Sequence, residues 1–228
     1  MTRGLGYDGT ESRFGCIETS VISKEWMGEP TLGHDKRTQT AKRRGRILEG
    51  AMRVFLKQGV GATRMEQVAE ACGLSIGGLY WHYESKRALI LDTLRGLFEP
   101  DLETLMELAQ LPGSTRERIE RCLVRTIAED HRTQPVVQEV YCMAHRDDEI
   151  ATWLASYFGA YETLFTRILE EGIAAGDVRP ANARSAATAL LSAYEGAIQL
   201  GCLLKIDEDP TVWVLRAIRH VLDGITVG

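Results

Sequence analysis

The stretch between Thr63 and Tyr83 constrains the fold of this 228-residue chain more strongly than any other segment. Thr63, followed three residues later by Glu66, has the pattern of a capping box, in which the hydroxyl accepts from a first-turn amide and the carboxylate returns the bond. Gly73 ends the short helix that these residues open, and Ser75 is a suitable cap for a second short helix that runs to Tyr83. Two short helices joined by a tight glycine turn are typical of a helix-turn-helix.

Helical patterns occupy most of the remaining chain. Apolar residues recur at three- and four-residue spacing from Thr38 onward, and neither a convincing strand pattern nor an internal repeat is evident. A first helix closes at Gly59, and later helices are predicted to begin at Ser85, Ser114, Pro135, Asn182 and Asp209. The sequence therefore predicts an all-α protein.

Residues 1–35 differ from the rest of the chain. Glycines interrupt this segment repeatedly and no helical or strand period is sustained, so we predict a disordered tail. Gly4, Gly6 and Gly9 match the spacing G-x-G-x-x-G, but a dinucleotide-binding turn also needs a strand before it and a helix after it. Neither is predicted here, so the match does not indicate a nucleotide site.

Charge is distributed unevenly along the chain. The net charge is −5, yet residues 36–99 carry 12 Lys and Arg against 6 Asp and Glu, while the other residues carry 15 against 26. A basic segment on an acidic body is the electrostatic pattern of a protein that grips phosphate with one end. A chance cluster of solvated charge would give the same counts, so this pattern by itself does not decide between the two interpretations.

Composition narrows the class of protein. The five cysteines are well separated and form no C-x-x-C pair, which argues against a disulfide framework or a zinc site and favours a cytoplasmic protein. We expect no membrane span, because no run of about 18 apolar residues is present, and no secretory signal. No grouping of residues has the spacing of a catalytic or metal site. The sequence thus predicts a protein that is not an enzyme and binds no cofactor or metal.

Several side chains of the helix-turn-helix have the chemistry to contact DNA. The second helix of such a motif lies in the major groove while the first steadies it. Arg64 is long enough to reach a base edge or a phosphate, and one face of the second helix, with Trp81 and Tyr83, is expected to pack on the first and fourth helices. Hydrogen bonds to phosphate oxygens can come from Thr63, Tyr80, His82 and Lys86.

A basic segment lies at the start of the first helix. Its members are Lys36, Arg37, Lys42, Arg43, Arg44 and Arg46. The segment either enters the minor groove or follows phosphates, or it is a solvated, disordered run. Both interpretations stay open.

Two segments closely resemble the TetR family of bacterial regulators. Leu79–Leu89 (LYWHYESKRAL) resembles its recognition-helix region, and Thr63–Ala69 (TRMEQVA) is similar to the preceding helix; the resemblance beyond residues 44–94 is one of layout only. It implies a homodimer with two readers on one palindromic operator, and an all-α C-terminal domain that dimerises through its last two helices and binds a small effector. It also assigns DNA-facing roles to Thr63, Arg64, Ser75, Gly77, Gly78, Tyr80, His82 and Lys86.

One departure from the family concerns Ile76, Gly77 and Gly78, which stand where family members often place polar base-reading residues. Glycine has no side chain for direct readout, and each one costs about 1 kcal/mol of helix propensity. We therefore expect specificity to depend on Arg64, on a contact between Ile76 and a thymine methyl group, and on DNA shape.

Two further sites are predicted in the C-terminal helices. An apolar effector cavity, with an arginine as anchor for an acidic ligand, would be lined by Met106, Arg121, Cys122, Arg125, Tyr141, His145, Trp153, Tyr157 and Tyr161. Aromatic residues at helical spacing equally suit plain core packing. The residues predicted for an isologous four-helix dimer interface are Ala187, Leu190, Tyr194, Ala197, Ile198, Gly201, Val214, Ile218 and Val221.

These features combine into one prediction for the whole chain. Residues 36–84 form an N-terminal three-helix helix-turn-helix DNA-binding domain, and residues 85–228 form a C-terminal helical effector-binding and dimerisation domain. The predicted function is a homodimeric repressor that a small-molecule effector releases from a palindromic operator. Two alternatives stay open, namely an effector-independent regulator or activator of the same fold, and an all-α ligand carrier or enzyme with a vestigial DNA module.

Overall fold

A computed structural model describes residues 36–179 and 182–227, with the side chains in those ranges except at 36–38, 101 and 128–132. The predicted tail, residues 1–35, lies outside the described residues. The described residues form α1 (Lys36–Gln58), α2 (Met65–Ala71), α3 (Ile76–His82), α4 (Lys86–Gln110), α5 (Thr115–Ala144), α6 (Asp148–Ala175), α7 (Ala183–Leu204) and α8 (Pro210–Ile225). Their β-structure is limited to one isolated bridge between Val178 and Thr226. The prediction of an all-α fold is confirmed.

The chain divides into two units, Met1–Gly45 and Arg46–Gly228. The described part of the first unit is the start of α1, where Lys42, Arg43 and Arg44 are exposed. The second unit contains the rest of α1 and all later helices, so the helix-turn-helix and the C-terminal helices lie in it together. A domain boundary after residue 84 stays a prediction.

Local hydrogen bonds explain where most helices begin. The side-chain oxygens of Ser75, Ser85 and Asn182 accept from backbone amides three residues later. Ser114 forms a capping box with Glu117, and Asp209 caps α8 immediately before Pro210. Each bond satisfies a first-turn amide that the helix itself leaves without a partner. These predicted caps are confirmed.

Two predicted helix starts are wrong. The Thr63 hydroxyl donates to the carbonyl of Gly59 at 2.7 Å instead of capping α2, and it is Gln67, not Glu66, whose side chain accepts from the amide of Arg64 at 2.8 Å. Pro135 does not open a helix but lies inside α5. A proline inside a helix costs about 3 kcal/mol, and the burial of flanking residues offsets it: Val136, Val137 and Val140.

The C-terminal helices bury a common core. It draws on the second half of α4 and on α5 to α8, for example at Leu105, Ile119, Phe165, Leu190 and Ile218. By length and composition α7 would be long and apolar enough to cross a membrane. However, α7 packs on α6 and α8 and contributes to this core, and a single such helix is weak evidence for a span.

Candidate nucleic-acid interface and effector site

The helix α3 presents one face to solvent and buries the other. Leu79 is fully buried and Tyr83, the residue that ends the helix, is nearly so, with its hydroxyl donating to Asp92 of α4 at 2.6 Å. Ile76 and Tyr80 are exposed on the other face. The buried residues fix α3 against the protein, and the exposed ones remain available to a partner.

Trp81 belongs to the exposed part of α3, contrary to prediction. We expected it to pack on the first and fourth helices, but 79% of its surface is accessible. Its ring lies edge-on to His82, with centroids 4.8 Å apart, and His82 is itself partly buried. A tryptophan this exposed adds a large apolar group to the candidate interface. The helical pattern placed Trp81 beside Leu79 and Tyr83, which is why the sequence suggested burial.

The first turn of α3 is unusually open. Ser75 caps it and is exposed, and a Cβ atom placed on Gly77 would meet no atom within 4 Å. A Cβ atom on Gly78 would meet only the Ser75 hydroxyl, at 3.2 Å. The protein interior therefore does not require glycine at position 77. What these glycines provide is a backbone that an external partner can approach closely.

The predicted contacts before α3 fall into two groups. Arg64 is exposed at the start of α2, where its side chain is accessible to a partner. Thr63 is only 3% exposed, and its hydroxyl is already bonded to Gly59. Its place is therefore in the loop that joins α1 to α2, which it holds in shape.

Lys86, at the start of α4, is bound to the same loop. Its Nζ atom donates to the carbonyl of Gly61 at 3.0 Å, and the amide of Gly61 donates to Oε2 of Glu139, on α5, at 2.9 Å. Burial lowers the pKa of Lys86 below its ordinary value, and the negative charge of Glu139 opposes that shift. Arg87, next along α4, pairs with Asp147 at 2.8 Å, just before α6. Charged side chains thus tie the loop before α2 to α5 and to α4, and the start of α4 to the residue before α6.

Four predicted effector residues lie together or close to one another, and two further rings join them. Trp153 and Tyr157 are stacked at 5.6 Å, and Tyr161 lies 4.8 Å from Tyr157. Phe98 of α4 approaches Tyr157 at 4.7 Å, and Phe158 approaches Tyr157 at 5.3 Å and Tyr141 of α5 at 6.0 Å. We call this set the aromatic cluster: Phe98, Tyr141, Trp153, Tyr157, Phe158 and Tyr161.

The other predicted effector residues do not belong to the aromatic cluster as defined: Met106, Arg121, Cys122, Arg125 and His145. Arg121 donates to three carbonyls at the end of α4, those of Leu108, Leu111 and Pro112, so it is occupied in closing that turn. Cys122 is fully buried in the core. Met106 and His145 are exposed, and Arg125 is partly buried.

Sequence reasoning missed one polar member of this region, Glu195 of α7. Its carboxylate is partly buried, and it accepts hydrogen bonds from the hydroxyl of Tyr141 at 3.1 Å and from Gln199. Burial raises the pKa of Glu195 above its ordinary value of 4.5, although both hydrogen bonds act in the opposite direction. Glu195 is the one acidic residue in the sequence of α7. That signal could have identified it.

Most residues predicted for a dimer interface are placed inside the protomer. Gly201 and Val221 are partly exposed, whereas the other seven belong to the common core: Ala187, Leu190, Tyr194, Ala197, Ile198, Val214 and Ile218. A side chain that already packs on α5 or α6 cannot also cover a second protomer. The exposed large apolar residues of α7 and α8 are instead Leu200, Leu203, Leu204 and Val212.

Within residues 36–179 and 182–227, no group of three His, Cys, Asp or Glu side chains is placed to hold a metal ion.

Comparison with solved structures shows the fold. A transcriptional regulator from Saccharomonospora viridis in complex with choline is similar with a TM-score of 0.73, at 18% identity over 82% of this chain and 100% of that one. The regulator FadR of Bacillus subtilis in complex with stearoyl-CoA is similar with a TM-score of 0.69, at 14% identity over 78% of this chain and 97% of that one.

Comparison of sequences identifies the helix-turn-helix. The model of the bacterial regulatory proteins of the tetR family matches residues 47–93, which contain α2, α3 and the start of α4. The transcriptional repressor KstR2 of Mycobacterium tuberculosis is 24% identical over 62% of this chain and 72% of its own length. These relatives are regulators, which agrees with the prediction that this chain is not an enzyme. Residues 47–93 therefore match the tetR family of bacterial regulatory proteins, and over a longer stretch the chain is similar to a transcriptional repressor.

Proposed function

We propose that this chain is a cytoplasmic, homodimeric repressor that binds a palindromic operator through α3 of each protomer and is released by a small-molecule effector. The observation that carries the proposal is the exposed face of α3, where Ile76, Tyr80 and Trp81 are accessible while Leu79 is fully buried. A helix held in this way can enter the major groove without disturbing the core behind it.

Three groups of residues are proposed to contact DNA. Tyr80 and His82 donate to phosphate oxygens, and Trp81 packs on the sugar-phosphate backbone. The open turn at Ser75, Ile76, Gly77 and Gly78 approaches the base edges, where Ile76 contacts a thymine methyl group. Arg64 reaches a base or a phosphate from the start of α2. Thr63 and Lys86 hold the loop before α2, and Arg44 with its basic neighbours adds charge that attracts phosphate.

Dimerisation is proposed on the outer face of α7. Leu200, Leu203 and Leu204 are exposed there, and a Cβ atom on Gly196 would meet no atom within 4 Å. An exposed apolar stripe with a small residue suits close, two-fold packing against the same helix of a second protomer. Such a dimer would also cover much of the apolar surface that makes α7 resemble a membrane helix. A two-fold dimer requires two half-sites of opposite orientation, hence a palindrome.

Effector control is proposed to act through α5 and α6. The aromatic cluster lies on α4, α5 and α6, while Glu139 of α5 holds Gly61 and Asp147, before α6, holds Arg87. A ligand that separates these helices would shift the helix-turn-helix, provided that it binds the shifted state more tightly. The similar structures that contain choline and stearoyl-CoA support a ligand site in a fold of this kind.

The test is a fluorescence-anisotropy titration of the full chain with the DNA upstream of its own gene, followed by footprinting. We expect two protomers per site and two protected half-sites related by a two-fold axis. Specific binding that no small molecule reverses would instead favour the effector-independent regulator. If no sequence-specific binding appeared at any salt concentration, the ligand carrier with a vestigial DNA module would be favoured.

A further inference from the structure

Glu195 is a partly buried carboxylate on α7. It lies beside the buried residues Tyr194 and Ile198, and its hydrogen-bond donors are neutral, the Tyr141 hydroxyl and the Gln199 amide. In the described part of the chain it forms no ion pair. Removing a carboxylate from water is unfavourable unless a positive charge or enough hydrogen bonds compensate it. Two neutral donors compensate it only in part.

Tyr141 connects this carboxylate with the other rings of the aromatic cluster. Tyr141 touches Glu195 with its hydroxyl and Phe158 with its ring, and Phe158 leads to Tyr157 and to Trp153 stacked on it. Tyr141, Trp153, Tyr157 and Phe158 are all partly accessible. A hydrogen bond and a series of ring contacts therefore link the carboxylate on α7 to partly accessible rings on α5 and α6.

The chemistry of these groups selects the charge of their ligand. The face of an aromatic ring carries negative electrostatic potential and attracts a cation, and an unpaired carboxylate does the same. We infer that the aromatic cluster and Glu195 form a binding site for an organic cation, whose alkylated ammonium group lies against the rings and beside the Glu195 carboxylate. This inference rests on the proposed function, because the site is the proposed effector site.

An acidic effector, which the sequence suggested, does not fit this arrangement. It would bring a second negative charge next to Glu195, and the proposed anchor Arg121 is bonded to three carbonyls at the end of α4. A neutral apolar ligand would leave the carboxylate without a counter-charge. An organic cation supplies that counter-charge and also covers the rings.

Direct binding to the DNA-free chain tests the inference, with titration calorimetry as the measurement. The probes are tetraethylammonium, phenyltrimethylammonium and tert-butylbenzene, the neutral isostere of phenyltrimethylammonium. We expect at least one cation to bind, and phenyltrimethylammonium to bind at least about tenfold more tightly than its isostere. Glu195→Gln keeps the size and the hydrogen-bond acceptor for Tyr141, and it should weaken cation binding at least about tenfold.

A matched variant controls for general effects of charge. Glu162→Gln removes a carboxylate on α6 that pairs with Arg184, outside the aromatic cluster, and it should leave cation affinity unchanged. Trp153→Leu should weaken cation binding as well, because it removes one ring face. Failure of both cations to bind, equal affinity for the neutral isostere, or full affinity in Glu195→Gln would each overturn the inference.

Operator release is measured separately, so that the two ideas can fail independently. A cation that binds through Glu195 without releasing DNA supports the cation site and contradicts effector control. Specific operator binding by a chain that takes up neither cation contradicts the cation site and leaves the DNA-binding proposal intact.

Discussion

The carboxylate of Glu139 accepts a hydrogen bond from the backbone amide of Gly61 at 2.9 Å, which joins α5 to the loop before α2. The carbonyl of Gly61 accepts from Lys86 at 3.0 Å, so both polar groups of this glycine are held by charged side chains of later helices. Tyr141 lies two residues after Glu139 and bonds to Glu195. One helix thus connects the aromatic cluster with the helix-turn-helix.

Gly59→Ala should separate Glu139 from the loop. The new methyl group would lie 2.6 Å from Oε1 of Glu139, and the left-handed backbone at φ 85° adds about 1–2 kcal/mol of strain. Gly73→Ala is the matched control, because its φ of 66° gives similar strain while its Cβ would meet no atom within 4 Å. Chemical denaturation should show Gly59→Ala to be less stable than Gly73→Ala by about 1 kcal/mol. Equal losses would mean that the contact contributes nothing.

Gly77→Ala should stabilise the protein and weaken its binding to DNA. The position is open, so alanine should raise the free energy of unfolding by about 0.5–1 kcal/mol. The methyl group would lie where α3 approaches the base edges, and operator affinity should fall about tenfold. Gly159→Ala on α6 is equally open and should give the stability gain alone. Unchanged operator affinity in Gly77→Ala would exclude close approach at this turn.

Leu203→Glu should dissociate the dimer without unfolding the protomer. The side chain is 75% exposed on α7, so the charge costs little within one protomer but would be buried against a second. Sedimentation velocity at micromolar concentration should show dimer affinity reduced about tenfold or more. Leu111→Glu, at an exposed leucine after α4, should sediment like the wild type. A wild-type chain that is itself a monomer would refute the proposed interface.

Glu195→Gln should be more stable than the wild type at neutral and alkaline pH. Burial raises the pKa of Glu195 in the folded state, so the wild type loses stability as the pH rises from 4.5 through that folded pKa. Glutamine does not ionise, so the variant does not lose stability in this way as the pH rises. The melting temperature of the variant should exceed that of the wild type at about pH 8, and the difference should shrink as the pH falls toward 4.5. A difference independent of pH would contradict this cause.

The sequence predicted local features of the fold more accurately than tertiary ones. A cap such as Ser75 or Asn182 bonds to a residue three positions away, so the sequence contains both partners. The prediction that Thr63 caps α2 was wrong because its hydrogen-bond partner, Gly59, lies before the helix rather than in it. The prediction that a helix begins at Pro135 was wrong because α5 continues across this residue. The burial of its neighbours, a tertiary effect, stabilises the helix there.

The candidate sites depend on which helices pack against one another. The residue pattern of a single helix does not show that packing. The apolar face of α7 was predicted correctly, but its burial at Leu190 and Tyr194 is within the protomer. Glu195 became significant only because α5 brings Tyr141 to it. Trp81 shares a helix with buried Leu79, yet no neighbouring helix covers it enough to prevent 79% exposure.

The central claim is that the exposed face of α3 binds operator DNA. Fluorescence anisotropy with the DNA upstream of the gene, repeated between about 50 and 200 mM salt, measures it for the wild type and Tyr80→Ala. Val124→Ala, at a similarly exposed apolar residue of α5, is the control. We expect the wild type to prefer operator over scrambled DNA, Tyr80→Ala to bind about tenfold more weakly, and the control to be unchanged. Equal affinity of Tyr80→Ala and the wild type, or equal binding to scrambled DNA, would contradict the central claim.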